Sequence, residues 1–221
     1  MFEITPIQEE PQSNPRLMSP PQIRSFARQG GGSVIADLVR NALVAGNRNT
    51  AASWPEPLRQ QGASCQTIAI INGVRCYQAA AGKRLWSPAP DEIENIRYAA
   101  SQQTSSDSPF AADSVSRILV KRGLLRSAEP MQQPITAAET MANGGFAVMT
   151  NGKDWHATTT VPNLARLATE DGYTSELISL DSLTGQQSAL SAEQFCSSIL
   201  ELDWRQDQAL ICTVGSAALS V

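Results

Sequence analysis

The chain has 221 residues, enough for one domain with a real core or for a domain plus a tail, and 17 Lys and Arg stand against 21 Asp and Glu. No Lys/Arg run with interleaved aromatics marks a nucleic-acid groove, and no apolar stretch reaches the length of a membrane span. The opening "MFEITPIQEEPQSNP" has neither a basic n-region nor an apolar h-region, so no cleaved secretory signal is expected.

Residues 1–32 hold Pro6, Pro11, Pro15, Pro20 and Pro21, few aromatics and the triplet Gly30-Gly31-Gly32. Such a segment is expected to be an extended or disordered tail, whose removal would leave the melting temperature nearly unchanged. The folded domain is expected over 33–221. A first amphipathic helix is predicted from Ser33, with Val34, Ile35, Leu38, Val39 and Leu43 on one face and Gly46-Asn47 as its stop. The connection "NTAASWPEPLRQQGAS" then delivers the chain to Cys65.

From Cys65, Ile68, Ile71, Val74 and Tyr77 or Gln78 recur at helical spacing, with Ser64 as N-cap, Gly62 loosening the approach and Gly73 weakening the middle. Further helices are predicted at Asp91 to Ser101, at Ala112 to Arg126, and from Thr136, where Glu139 would complete a capping box. After Asn143-Gly144-Gly145 the period switches. "FAVMTNG" and "WHATTTV" read as strands around Asn151-Gly152 and "SELISLD" as a third, followed by a capped helix from Ser191 to Leu202 and a last strand "QALICTV". Helices first and a mostly antiparallel sheet after them make an α+β domain.

Four cysteines, Cys65, Cys76, Cys196 and Cys212, are too sparse for a disulfide framework, and one histidine is too few for an ordinary structural zinc site. No Gly-rich phosphate loop and no His-Glu-x-x-His motif occurs, so neither a cofactor nor a metal is expected. Most of the cysteines read as core residues, Cys212 in "ALICTV" most clearly.

Cys65 differs by its position. A cysteine at the first turn of a helix lies among unsatisfied N–H groups and the positive end of the macrodipole, which favour the thiolate. The competing reading is a space-filling thiol. His156 opens a predicted strand, and Asp181 in "SELISLDSLTG" closes the next, where an antiparallel pairing would set the two side by side. Asp181 also reads as a turn former capping "DSLTG". Asp154 lies along the strand of His156 rather than across from it, Asp171 sits at a glycine turn, and Trp155 either shields the pair or anchors the sheet.

A helix-start cysteine, then a strand histidine led by "GGFAVMTNGKDWHATTTV", then an acid in "LDSLTG" resembles the papain-like cysteine peptidases over about Pro57 to Val221. The likeness is to their small bacterial effector members, and it implies a papain-like fold with an N-terminal helical subdomain packed on the sheet. It implies a triad of Cys65, His156 and Asp181, in which the imidazole takes the thiol proton and the carboxylate fixes the imidazole. The oxyanion donors would be the backbone N–H of Cys65 and a glutamine side chain, Gln60 or Gln61, each nearer the cysteine than is usual for the family.

The activity implied is thiol-dependent attack on an amide of a protein substrate in a target or host cell. Protease, glutamine deamidase and peptidoglycan amidase share the acylation step, and a non-catalytic effector that binds its target is the other class. By analogy the chain would leave a bacterium through a specialised secretion system, with a secretion chaperone as a further partner, and would act in the target-cell cytoplasm. Asp181→Asn is expected to be milder than Asp181→Ala, since an amide oxygen still accepts from the imidazole.

Overall fold

The computed structural model describes residues 14–46, 55–60, 64–102, 112–151, 156–163, 175–203 and 207–220. Its centre is a six-stranded sheet in the order β1-β6-β2-β3-β4-β5, antiparallel at every pairing. The strands are β1 (Leu125–Pro130), β2 (Gly145–Asn151), β3 (His156–Pro162), β4 (Leu177–Asp181), β5 (Gln187–Leu190) and β6 (Gln208–Val214). The α+β class read from the sequence is therefore the class observed.

Strand alternation gives the sheet two buried faces. Val148 pairs with Thr159 and Thr159 with Leu180, which puts Phe146, Val148, Ala157, Val161, Ile178 and Leu180 on one of them. That face is covered by α3 (Cys65–Ala80), α4 (Pro90–Ser101) and α5 (Ala112–Lys121). The other face, with Ala147, Leu177 and Ala209, is covered by α2 (Gly32–Gly46), α6 (Pro134–Ala142) and α7 (Ala192–Leu200). Helices thus flank the sheet on both sides. The expected N-terminal helical subdomain is not formed: its helices are divided between the two layers, because a central sheet with two apolar faces needs cover on each.

The expected tail is corrected as well. Residues 1–13 lie outside the described residues, but 14–32 are part of the fold. Asn14 caps a single 3-10 turn, Pro15–Leu17, and Pro20 begins α1 (Pro20–Phe26), where a proline's missing N–H costs nothing. Ile23 is 1% exposed in the core formed with α2 and α6. Arg16 Nε reaches Glu139 Oε1 at 3.1 Å, and Gln133 donates to the Met18 carbonyl. The glycine triplet is a corner rather than a linker: Gly30 has φ +99°, and a side chain on Gly31 would run into the Phe26 ring. Ile23→Ala should therefore cost about 2–5 kcal/mol by opening a cavity, and should lower the melting temperature by ~5–15 °C. A thermal melt that is unchanged would return the segment to the status of a tail.

Two strands were not expected. The helix predicted through Arg126 ends at Lys121, Gly123 turns with φ +74°, and Leu125–Pro130 pairs with β6. Leu124 and Leu125 suit a helical stripe as well as a strand, so the apolar period does not decide between them. At the other edge β5 is largely exposed and lacks an apolar alternation. The helix predicted from Thr136 begins at Pro134 with Gln133 as N-cap, and Thr136 bonds back to the Gln133 carbonyl instead of forming a capping box. Ser191, by contrast, caps α7 as expected, and does so in a capping box with Gln194. Among the described residues no helix is long and apolar enough to cross a membrane.

Candidate active site

The direction of α3 decides where Cys65 lies. Thr159 in mid-β3 donates its hydroxyl to the Ala69 carbonyl, Gly73 lies against the ring of Phe146 in β2, and Tyr77 Oη bonds the Gly145 carbonyl at 2.5 Å. Ala69 to Tyr77 spans about 12 Å of helix, and the strand path from Val148, paired with Thr159, to Gly145 spans about 10 Å. The helix therefore runs along the strands, and its first turn comes out at the end of the sheet where β2 finishes and β3 begins. Cys65 and His156 occupy that end.

His156 and Asp181 are brought together there. His156 pairs with Asn151 as the first residue of β3, and Asp181 pairs with Thr158 as the last of β4. The imidazole Nε2 lies 3.3 Å from Asp181 Oδ2, with both side chains partly buried. The other carboxylate oxygen, Oδ1, accepts from the backbone N–H of Leu183 at 2.7 Å and of Thr184 at 3.0 Å. One oxygen caps the turn and the other faces the imidazole, so the turn-former and partner readings of Asp181 hold together. Burial works to raise the Asp181 carboxyl, but the N–H groups of Thr184 and Leu183 and the charge on His156 outweigh it and hold the group below the usual carboxylate range.

With Nε2 engaged by Asp181, Nδ1 is the ring nitrogen left for a further partner. Strand alternation assigns His156, Thr158 and Asp181 to the face opposite α3. An approach of the imidazole to the Cys65 thiol is therefore around the end of the sheet.

Cys65 is half-buried, whereas Cys76, Cys196 and Cys212 are buried. Burial pushes the Cys65 thiol up, and the backbone N–H groups of Gln66 and of Cys65 itself pull it down without cancelling that effect. The expectation that the helix start alone favours the thiolate is thus half met: the N–H groups do act on the sulfur, but desolvation is the larger effect. Ionising this thiol needs a base. Burial pushes Cys196 and Cys212 up to about 12, and Cys76 higher still.

The segment leading to Cys65 is held by side chains that sequence reasoning passed over. Asn72 clamps Leu58 from both sides, accepting from its N–H at 2.8 Å and donating to its carbonyl at 3.1 Å. Arg75 reaches the Glu56 carbonyl at 3.2 Å and the Trp86 carbonyl at 2.9 Å. Both are almost fully buried, and polar residues at positions 72 and 75, inside the apolar run from Ile68 to Val74 and just past it, were the signal available. Ser182, wholly buried beside Asp181, was missed too. Its hydroxyl donates to the Ala157 carbonyl at 2.7 Å and lies 3.3 Å from Gln60 Oε1, while its carbonyl accepts from the Gln60 N–H at 2.7 Å. Gln60 is thereby a strut tying the approach to Cys65 onto the strand ends that carry His156 and Asp181.

Of the other sequence expectations, Ser64 stands at the N-cap position with its carbonyl accepting from Ile68 N–H at 2.9 Å, although its side chain makes no capping bond. Gln61, Gly62, Asp154, Trp155 and Asp171 lie outside the described residues. Among the described residues no cluster of His, Cys, Asp and Glu is arranged to hold a metal ion. Comparison of the chain with protein-family models, with curated proteins and with solved structures finds no match. The chemical content of the site is therefore read from its own residues: an imidazole paired with a carboxylate, and a thiol at a helix start, at the same end of the sheet, residue types suited to acyl transfer.

Proposed function

We propose that this chain is a thiol-dependent hydrolase of the papain-like type that attacks an amide of a protein target. The observation that supports it most is the His156–Asp181 pair at 3.3 Å, formed at the end of the sheet where α3 begins with Cys65. In this reading Nδ1 of His156 takes the thiol proton and Asp181 holds the ring through Nε2–H. The thiolate adds to the amide carbonyl, and the oxygen that gains charge is met by the backbone N–H at the start of α3. Collapse breaks the C–N bond, the imidazolium protonates the departing amine, and water cleaves the resulting thioester with His156 again as base. Delivery into a target cell belongs to this reading through the resemblance alone.

Thiol reactivity tests it. In the intact protein at neutral pH, iodoacetamide should modify Cys65 ahead of the other three cysteines. His156→Ala should slow that labelling about tenfold or more, consistent with loss of a positioned base. Because burial pushes the thiol up, the deficit should shrink as pH rises and hydroxide ionises the thiol unaided. Faster labelling of Cys76 or Cys196, or a His156→Ala rate equal to wild type at neutral pH, would overturn the assignment.

A further inference from the structure

Beside the first turn of α3 the surface folds into a cleft of about 180 Å³, whose walls include Leu58, Ser64, Ile68, Pro90 and Ile93, with Arg59 and Glu94 as the charged groups. Ser64 precedes Cys65 in the chain, and Ile68 follows it by three residues, a spacing that makes two helical side chains neighbours. The cleft therefore opens next to the candidate nucleophile. It is smaller than the ~300–1,000 Å³ of ordinary ligand and cofactor pockets, but comparable to the ~150 Å³ that accepts a benzene ring. Its size and apolar walls fit one bulky side chain.

The two charges are not equivalent. Glu94 is paired with Arg97 at 2.8 Å. Arg59 has no carboxylate or carbonyl partner among the described residues. Its stem crosses Gly185, where φ is +69° and a Cβ would lie 2.6 Å from Arg59 Cγ. Gly185 N–H in turn bonds the Asp181 carbonyl at 2.9 Å. Arg59 thus spans from the cleft to the turn that carries Asp181, and places a cation between them that has no carboxylate partner among the described residues.

We propose that this cleft is the specificity pocket of the same site, seating one bulky apolar side chain of a polypeptide substrate while Arg59 pairs with an acidic residue next to it. The proposal rests on the thiol-hydrolase reading. The test uses the full chain and three dipeptidyl chloromethyl ketones, Glu-Leu, Glu-Gly and Lys-Leu, in which the Cys65 sulfur displaces chloride, with iodoacetamide as a reference too small to need the cleft.

Glu-Leu should alkylate Cys65 about tenfold or more faster than Glu-Gly, the scale on which an apolar pocket discriminates. Ile93→Trp, which fills the cleft, should abolish that advantage and leave the iodoacetamide rate unchanged. Arg59→Glu, at an exposed position where folding is not at stake, should invert the preference for Glu-Leu over Lys-Leu. Equal rates for Glu-Leu and Glu-Gly, or an acidic preference that survives Arg59→Glu, would overturn the proposal while normal iodoacetamide labelling left the thiol-hydrolase reading standing. Failure of iodoacetamide to label Cys65 in the wild-type protein would sink both.

Discussion

Cys65→Ala and His156→Ala should each lower the proposed amide hydrolysis by ~10³-fold or more, and the double variant should fall little further, because members of one catalytic unit do not add. Neither change removes a fold-bearing contact comparable to Ile23 or Phe146, so the melting temperatures should stay near wild type. Asp181 separates stability from catalysis. Its Oδ1 is held by the N–H groups of Leu183 and Thr184, and Oδ2 faces His156 Nε2. In Asp181→Asn the amide oxygen keeps the two turn bonds, which turns the NH₂ toward the imidazole. An NH₂ can only donate, so Nε2 becomes an acceptor, the ring proton moves to Nδ1, and the nitrogen meant to receive the thiol proton is occupied.

Asp181→Asn should therefore be at least as inactive as Asp181→Ala, yet more stable by about 1 kcal/mol, the worth of the lost turn cap. This reverses the expectation drawn from the sequence, which counted the amide oxygen as free to serve the imidazole. Mass spectrometry of candidate substrate proteins reads the activity itself. New termini indicate proteolysis, and a gain of about one dalton at glutamine indicates deamidation, according to which amine leaves. Full hydrolysis by Cys65→Ala would refute the catalytic reading.

Legibility followed the strength of local signals. The strand from His156 to Val161, the capped helix at Ser191 and the helix from Cys65 each rest on a short-range pattern, an apolar period or a cap residue, and these were readable. Residues 14–32 were not, because prolines at helix starts and a glycine at a helix corner have the same composition as a linker; what distinguishes them is that Ile23 finds a core to enter. The exposed edge strand β5 carries no period at all. At the site, residue types and chain order were legible. The frame that holds them was not, since Asn72, Arg75, Ser182 and Gln60 act through contacts between segments far apart in sequence.

Gly73 shows how the fold and the site depend on one packing contact. Read from the sequence, it weakens the middle of a helix. In the structure a Cβ at this position would lie 2.3 Å from Phe146 Cδ2, and Phe146 is wholly buried, so α3 approaches β2 this closely only because residue 73 has no side chain. Gly73→Ala gains up to about 1 kcal/mol of helix propensity but forces the ring or the helix to move, an overpacking cost of about 1–3 kcal/mol. Gly73→Val has less propensity to gain and more volume to place, and should cost ~3 kcal/mol or more, lowering the melting temperature by about 6–12 °C. The same shift carries the start of α3 with it, and a misplacement of about 1 Å at a reacting centre costs ~10²-fold in rate. Gly73→Val should thus lose hydrolysis well below its melting temperature, and Phe146→Leu in the same chain should restore part of both by vacating the space. Additive effects of the two substitutions in a double-mutant cycle would mean that Phe146 does not set the height of α3 above the sheet.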